Sequence, residues 1–184
     1  MDTKRIIDEC KKGIEDAQRT LFMKFSGYLY GVINKYVNSG FLVQDILQES
    51  FIIIFNNLEK FEYKSDFQFY AWIKKIAIRE TIKNLKKNNL FFEPIEDAKY
   101  IENTEFVSII SKLNKDDLLM HLKSLPDGFR TIFNMYAIEG YSHSEIAKEL
   151  GIAESTSRSQ LTRARRLLQK RIIGTDIGQI KKEK

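Results

Sequence analysis

Helix-breaking residues are scarce along this chain. Its 184 residues include only two prolines and nine glycines, and inside a helix these cost about 3 and about 1 kcal/mol respectively relative to alanine. No stretch alternates apolar and polar side chains for long enough to form a half-buried strand. Apolar side chains recur instead at spacings of three and four, as on one face of an α-helix. The chain is therefore predicted to be all-α.

Four amphipathic helices are predicted in the first half of the chain. The fourth begins at a capping-box signature, in which Ser65 stands three residues before Gln68. Together the four helices make a first predicted domain at residues 1–88. Their predicted ranges are 2–12, 14–37, about 42–60 and about 65–87.

The periodicity fades after this domain and then returns. Scattered carboxylates at residues 89–114 predict a flexible acidic linker. A second helical domain is predicted at residues 115–173, and Pro126 marks the start of one of its helices. The lysine-rich tail at 174–184 is predicted to fray. The expected architecture is two small helical domains joined by a flexible linker.

Positive charge is concentrated in two segments. The chain carries a net charge of +5 at neutral pH. Residues 74–87 and residues 154–171 each contain six lysines or arginines and one glutamate, whereas residues 88–118 carry a net charge of −4. Two basic segments separated by an acidic connection indicate a protein that binds a polyanion at two places.

The stretch from Tyr141 to Leu161 has the pattern of a helix-turn-helix. Ser142 and Glu145 form a capping box that opens a short helix, and Gly151 supplies the positive φ of the turn. The following helix would expose side chains able to contact base edges or phosphates in a major groove. These are Ser155, Thr156, Arg158, Ser159, Gln160, Thr162 and Arg163, followed by Arg165 and Arg166, which suit backbone phosphates.

Aromatic residues adjoin the lysines of the fourth helix. Aromatic rings interleaved with basic side chains suit melted nucleic acid, because unstacked bases stack on the rings. An aromatic stripe at helical spacing is equally typical of a core, and Phe69 and Trp72 are predicted to be buried. The side chains predicted to be exposed are Tyr70, Lys74, Lys75 and Arg79.

Little in the sequence supports catalysis or a bound metal. His121 and His143 are the only histidines, and with one cysteine they cannot make a zinc cluster. Cys10 is predicted to be a buried small hydrophobe, and His143 to be solvated. No enzymatic activity, cofactor, metal or membrane span is expected. Charged residues near the start interrupt any signal-peptide core, so the protein is expected to be cytoplasmic.

Several motifs resemble the sigma-70 family of bacterial RNA polymerase sigma factors. Asp45-Ile46-Leu47-Gln48-Glu49-Ser50-Phe51 is similar to the acidic helix of the family's first conserved domain, and residues 65–77 are similar to its promoter-melting helix. Residues 125–130, the helix-turn-helix and residues 158–165 resemble the last conserved domain. Because the linker is too short for the extra domain of larger family members, the chain is identified as a member of the extracytoplasmic function group.

The resemblance implies a sigma factor that binds core RNA polymerase and directs promoter recognition, promoter melting and transcription initiation. The polymerase contacts would be Asp45, Gln48 and Glu49 on the β′ clamp helices, while the second domain rests on the β flap and reads the minus-35 element. An anti-sigma factor is a further candidate partner. The minus-10 contacts would come from the fourth helix and the loop before it, through Lys64, Ser65, Tyr70, Lys74, Lys75, Arg79 and Lys83.

One departure from the family pattern and two other classes of protein bear on this interpretation. Ser155 and Ser157 stand where the family commonly has glycine and valine, so the small core around Ser157 is predicted to be looser. A helix-turn-helix regulator that acts without polymerase has no need for the second basic segment. A DNA recombinase would need a nucleophile among arginines in a catalytic domain, and residues 1–90 offer no strand-bearing fold to hold one.

Overall fold

The computed structural model describes residues 2–87 and 114–180, with the side chains of Lys115 and of residues 174–180 excepted. The chain divides into two compact units, Met1–Asn89 and Leu90–Lys184. Every regular element in the described residues is a helix, which confirms the predicted fold class. The predicted linker lies outside the described residues except for Asn114.

Four helices form the described part of the first unit, and three of them start at a polar cap, which is Asp2, Ser39 or Ser65. The Ser39 Oγ accepts a hydrogen bond from the Leu42 amide at 3.4 Å, and the Ser65 Oγ accepts one from the Gln68 amide at 3.2 Å. The Gln68 side chain accepts from the Lys64 amide at 3.1 Å rather than from the amide of the cap itself. The helices are α1 (Thr3–Lys11), α2 (Glu15–Asn34), α3 (Gly40–Leu58) and α4 (Asp66–Lys87).

The core of the first unit is assembled from the apolar stripes of these helices. Phe69 of α4 is fully buried, as predicted, and meets the rings of Phe25 and Phe61 edge-on at centroid distances of 5.1 and 5.4 Å. Such pairs contribute about 0.5–1.5 kcal/mol beyond burial of area, so α4 is held firmly against α2. Cys10 is buried as predicted, and burial, with a smaller contribution from Glu9, raises its pKa to about 11. The stripe of α2 consists of Leu21, Phe25, Leu29, Val32 and Ile33.

The described part of the second unit, residues 114–180, contains four α-helices, one of which continues into a π-helical segment at Asn134–Ile138. Its last helix extends to Ile180, so the tail predicted to fray from residue 174 is helical for seven more residues. Gly174 lowers helix propensity by only about 1 kcal/mol, which does not end a helix in the absence of proline. The helices are α5 (Lys115–Lys123), α6 (Asp127–Phe133), α7 (His143–Leu150) and α8 (Glu154–Ile180).

Helices α7 and α8 form the predicted helix-turn-helix. The Ser142 Oγ accepts from the Glu145 amide at 3.2 Å, and the Glu145 carboxylate accepts from the Ser142 amide at 2.8 Å. Gly151 ends α7 with a φ of 72°, in the left-handed region that favours glycine. Both features were predicted from the sequence and are confirmed. The turn therefore joins α7 to α8 with a defined geometry.

A buried arginine holds the corner between α5 and α6. The Arg130 guanidinium donates to the Lys123 carbonyl at 3.1 Å and the Leu125 carbonyl at 3.0 Å, and it pairs with Asp127. Burial lowers the pKa of Arg130, and the Asp127 carboxylate opposes that shift. Because the last carbonyls of a helix lack intrahelical donors, this one side chain satisfies groups that burial would otherwise penalise.

Candidate nucleic-acid interface

Helix α8 presents a basic outer face. Arg158 and Arg166 are exposed, and so is Ser155 in the first turn. Arg158 pairs with Glu154 one turn before it, which keeps the guanidinium near the start of the helix. The first turns of a recognition helix are the part that contacts base edges. Partly exposed side chains on the same helix are Thr156, Ser159 and Arg163.

Two side chains predicted to be exposed on α8 are buried. Gln160 is 4% exposed and Thr162 is 6% exposed. The Thr162 Oγ1 donates to the Arg158 carbonyl at 3.1 Å, so its hydroxyl is already bonded within the helix. Both residues flank Leu161, whose row on the helix faces the core of the unit. The expectation that Gln160 and Thr162 face outward is therefore wrong.

The two adjacent arginines predicted to contact phosphates have different surroundings. Arg166 is exposed, whereas Arg165 is partly buried and its guanidinium lies over the Tyr136 ring, 5.7 Å from the centroid. The Nε of Arg165 is buried as well. Arg165 therefore packs against its own unit, and Arg166 is the freer of the two to reach a phosphate.

His143 is buried, which contradicts the prediction that it is solvated. Its ring stacks on Tyr136 with centroids 4.5 Å apart and an interplanar angle of 23°. The His143 Nδ1 lies 2.9 Å from the Oγ of Ser157, a residue with no exposed surface. Burial lowers the pKa of His143, and the charge of Arg158 lowers it further. Ser157, which was predicted to make this core looser, therefore has a hydrogen-bonding partner there.

Helix α4 carries the second basic face. Lys75, Arg79 and Lys83 are exposed at intervals of four residues, which places them in one row along the helix. The Lys83 Nζ donates to the Glu80 carboxylate at 2.8 Å. Lys74 is partly exposed beside the row. Lys64 and Ser65 are exposed in the loop that precedes the helix.

Two aromatic side chains of α4 differ from their predicted burial. Trp72 was predicted to lie in the core but is only partly buried, and it stacks on Phe61 with centroids 4.5 Å apart. Tyr70 was predicted to be exposed but is partly buried, edge-on to Phe25 and Tyr28 at 5.1 and 5.0 Å. Both residues sit at the margins of the buried stripe, where helical spacing alone does not decide exposure.

A cavity of about 430 Å³ opens beside the loop that precedes α4. It combines an aromatic side chain with lysines and amides, a set of groups that can stack on and hydrogen-bond to an unpaired base. Asn57 and Lys60, at the end of α3 and just after it, were missed in the sequence because only folding brings them beside α4. The lining residues are Asn57, Lys60, Phe61, Glu62, Lys64, Gln68 and Trp72.

The predicted polymerase contacts lie together on the outer side of α3. Gln48 and Glu49 are exposed, and Asp45 is partly exposed. The Glu49 carboxylate accepts a hydrogen bond from the Asn84 Nδ2 of α4 at 3.1 Å. Of the three, Glu49 is therefore tied to the neighbouring helix.

The buried carboxylate of Glu80 lies next to the hydrogen bond between Asn84 and Glu49. Glu80 is 5% exposed, and its carboxylate accepts from the Asn84 Nδ2 at 3.3 Å and from the Lys83 Nζ. The hydrogen bond from Asn84, followed by the charges of Lys83 and Lys87, lowers the pKa of Glu49. The side of α3 that carries Glu49 and the basic row of α4 are thus joined by one hydrogen-bonded cluster.

The described residues contain neither a membrane-spanning helix nor a cluster of side chains suited to hold a metal ion. No helix among them is long and apolar enough to cross a membrane. Across those same parts of the chain, histidine, cysteine, aspartate and glutamate side chains form no group of three that could hold a metal ion. His121 is buried, like His143.

Two family descriptions match the chain, in order. Residues 21–90 match "Sigma-70 region 2" and residues 115–168 match "Sigma-70, region 4". The first match covers the helices that carry the α3 and α4 faces, and the second covers the helix-turn-helix. The fold and the two family matches together define a two-domain protein of the promoter-recognition class, whose members are regulatory and non-catalytic.

Relatives that resemble the chain over most of its length are also sigma factors. The ECF RNA polymerase sigma-E factor of Salmonella typhimurium is 27% identical over 184 residues, which cover 91% of this chain and 92% of that protein. The RNA polymerase sigma-H factor of Pseudomonas aeruginosa is 27% identical over 183 residues, covering 90% and 91%. The chain belongs to the extracytoplasmic function group of the sigma-70 family.

A solved structure shares the fold. The sigma factor RpoE from Bartonella quintana, crystallised in complex with the anti-sigma factor NepR, superposes with a TM-score of 0.50 at 20% identity. The alignment covers 86% of this chain and 97% of that one. The all-helical two-unit architecture is therefore one that sigma factors adopt.

Proposed function

We propose that this protein binds core RNA polymerase and directs it to promoters, where it supports promoter melting and transcription initiation. The observation that carries the proposal is the pair of separate basic faces, one on α4 and one on α8, each on its own folded unit. A regulator that reads a single operator needs one such face. Two faces suit two promoter elements bound at the same time.

The α8 face would bind the minus-35 element as duplex DNA. Arg158 and Ser155 lie in the first turns, which approach base edges, and Arg166 lies two turns later, where the helix passes the phosphates. Thr156, Ser159 and Arg163 add partly exposed polar groups. Gln160 and Thr162 are left out of this surface because they are buried.

The α4 face would bind and open the minus-10 element. The exposed row of Lys75, Arg79 and Lys83 can follow a phosphate backbone, since each cation lies one turn from the next. The cavity beside Trp72 and Lys64 has room for one unstacked base. Stacking and hydrogen bonding there would stabilise the melted strand over the duplex, which is the energetic requirement for promoter opening.

The acidic side of α3 would bind the β′ clamp helices. Asp45, Gln48 and Glu49 lie within about one helical turn of one another and point away from the buried row. Charged groups at the rim of an interface accelerate association and select the partner more than they add affinity. The second unit would rest on the β flap, so that both units are held on the polymerase.

The same proposal covers location, chemistry and regulation. The protein would act in the cytoplasm, where polymerase and chromosome are found, and it would have no catalytic site, metal or cofactor of its own. An anti-sigma protein is a further candidate partner, as NepR is for RpoE of Bartonella quintana. The acidic linker would run toward the RNA exit path of the polymerase.

The test is transcription in vitro with purified core polymerase on a randomised promoter library. We expect transcripts from a defined promoter class only when protein and core are both present. In a parallel binding assay the protein alone should bind the selected promoters weakly, because the proposal requires the polymerase to hold the two units at the spacing of the two promoter elements.

The competing class gives the opposite pattern. A helix-turn-helix regulator that acts without polymerase would bind one short operator tightly by itself, and its addition would not redirect core to new start sites. Tight sequence-specific binding by the free protein, together with start sites of core polymerase that do not change when the protein is added, would refute the sigma-factor proposal.

A further inference from the structure

Four side chains pack in a column that includes two residues of helix α8, Ser157 and Arg165. Arg165 of α8 lies over the Tyr136 ring, Tyr136 stacks on His143, and the His143 Nδ1 is 2.9 Å from the Oγ of Ser157, again on α8. Ser157 and Arg165 are eight residues apart, which is about two helical turns. The column therefore constrains the inclination of α8 as well as the place where it starts.

The position of Ser157 makes this constraint relevant to DNA. Ser157 lies in the first turn of α8 and is fully buried, while its neighbour Arg158 and nearby Ser155 are exposed on the outer side. A displacement of the first turn would carry both exposed side chains with it. Errors of about 1 Å matter in such a site, because bidentate contacts to base edges require defined geometry.

We propose that His143 is a positioning residue for promoter recognition, and that its hydrogen bond to Ser157 sets the angle at which α8 meets the minus-35 element. His143 does not touch DNA in this arrangement; it acts through Ser157. The inference rests on the proposed function and adds to it a buried polar contact, between α7 and α8, that determines specificity.

The surroundings of His143 explain why the hydrogen bond between His143 and Ser157 is sensitive to substitution of either residue. The charged groups that act on its ring are Arg158, Glu154 and Arg165, all on α8, and the ring of Tyr136 covers one face. A buried donor or acceptor that loses its partner is penalised by its full desolvation cost, so removal of one member leaves the other unsatisfied. The first turn of α8 would then shift until water or another group reaches the orphaned atom.

The experiment compares two substitutions of nearly equal shape at one position in the full-length protein with core polymerase. Ser157→Thr keeps the hydroxyl and Ser157→Val removes it, so any overpacking is the same in both. The matched control is Ser144→Ala, an exposed serine on α7. The readout is the ratio of transcription from a library-selected promoter to transcription from the same promoter with its upstream element scrambled.

We expect Ser157→Thr and the control to keep the ratio of the parent, and Ser157→Val to lower it about two- to tenfold, the range expected for one hydrogen bond. His143→Phe, which keeps the ring stack, should lower it by a similar factor. The double variant should be no worse than either single one, since both remove the same bond. The ring-nitrogen NMR signals of His143 should move in the valine variant and stay in the threonine variant.

Other outcomes overturn the assignment. Equal losses in Ser157→Thr and Ser157→Val would show a packing role without the hydrogen bond, and an unchanged ratio in Ser157→Val would remove the positioning role altogether. Additive losses in the double variant would contradict it as well. Failure of the parent to give any promoter-dependent transcript is a different result: it refutes the proposed function itself, and the positioning role with it.

Discussion

Arg158 is the side chain through which base specificity at the upstream element is most directly testable. It is exposed near the start of α8 and pairs there with Glu154, the two side chains being 55% and 45% exposed. An exposed ion pair of this kind is worth about 0.2–1 kcal/mol. Release of the pair on binding costs the same for every DNA sequence, so it leaves discrimination unchanged.

The expected size of the effect follows from the contact itself. A bidentate contact from arginine to guanine discriminates against other bases by about 1–3 kcal/mol, or roughly 5- to 150-fold. Arg158→Ala should therefore relax the preference at one or two positions of the upstream element by a factor in that range. The thermal midpoint should hardly change, because the side chain is 55% exposed and its ion pair with Glu154 lies at the surface.

The neighbouring arginines supply the contrast. Arg166→Ala should weaken all promoters alike and reduce the slope of log affinity against log salt by about 0.9, as expected for one phosphate contact. Arg165→Ala should lower the thermal midpoint of the second unit as well, since it removes the guanidinium from the Tyr136 ring. The structure thus separates two arginines that the sequence groups together.

The assay is transcription from a library randomised only in the upstream element, at two salt concentrations, with core polymerase in excess. Sequencing of the transcripts gives the preference at each position, and the total yield gives the sequence-independent loss. An unchanged preference profile in Arg158→Ala, with only a uniform loss of yield, would refute the assigned role. A changed profile in Arg166→Ala would refute the distinction between the two arginines.

Three further outcomes are expected. Asp45→Lys should weaken competition for core polymerase and leave the thermal midpoint unchanged, while Glu49→Lys should lower both competition and midpoint because it also loses a hydrogen bond to α4. Glu59→Lys is the matched control, and parent-like competition by Asp45→Lys would contradict the assignment. Arg130→Leu should destabilise the second unit by about 3 kcal/mol in urea unfolding, since it breaks a buried ion pair, and a change below about 1 kcal/mol would show that the corner holds without it. The pKa of His143 is lowered in the fold, so the unfolded chain takes up a proton first, and stability should fall as the pH drops below about 6.5. The unfolding midpoints at about pH 7.5 and about pH 5.5 should differ more in the parent than in His143→Phe, and an equal difference in the two proteins would exclude the histidine as the cause.

Features that are local in the chain could be predicted from the sequence. The helices, the capping box of Ser142 and the turn at Gly151 follow from spacing and from one or two residues at fixed offsets. The two basic segments are likewise contiguous, so simple charge counting finds them. The family motifs are local for the same reason, and they led to the right class of protein.

Features that depend on neighbouring elements could not be predicted in this way. Gln160 and Thr162 look like surface residues beside arginines, yet the packing of α8 turns them inward. Helical periodicity gives the centre of a buried stripe but not its width, because the width is set by whichever elements pack on either side.

The polar contacts between elements were decided only by the tertiary structure. Glu49 and Asn84 are 35 residues apart, and His143 and Ser157 are 14 residues apart across a turn. A hydrogen bond requires atoms to meet within about 3 Å at a suitable angle, and no periodicity or composition encodes that. By itself the sequence determined which helices form and which surfaces carry charge. Burial of His143 beside Ser157, and the tie between α3 and α4, arose only when folding excluded water and left each buried polar group in need of a partner.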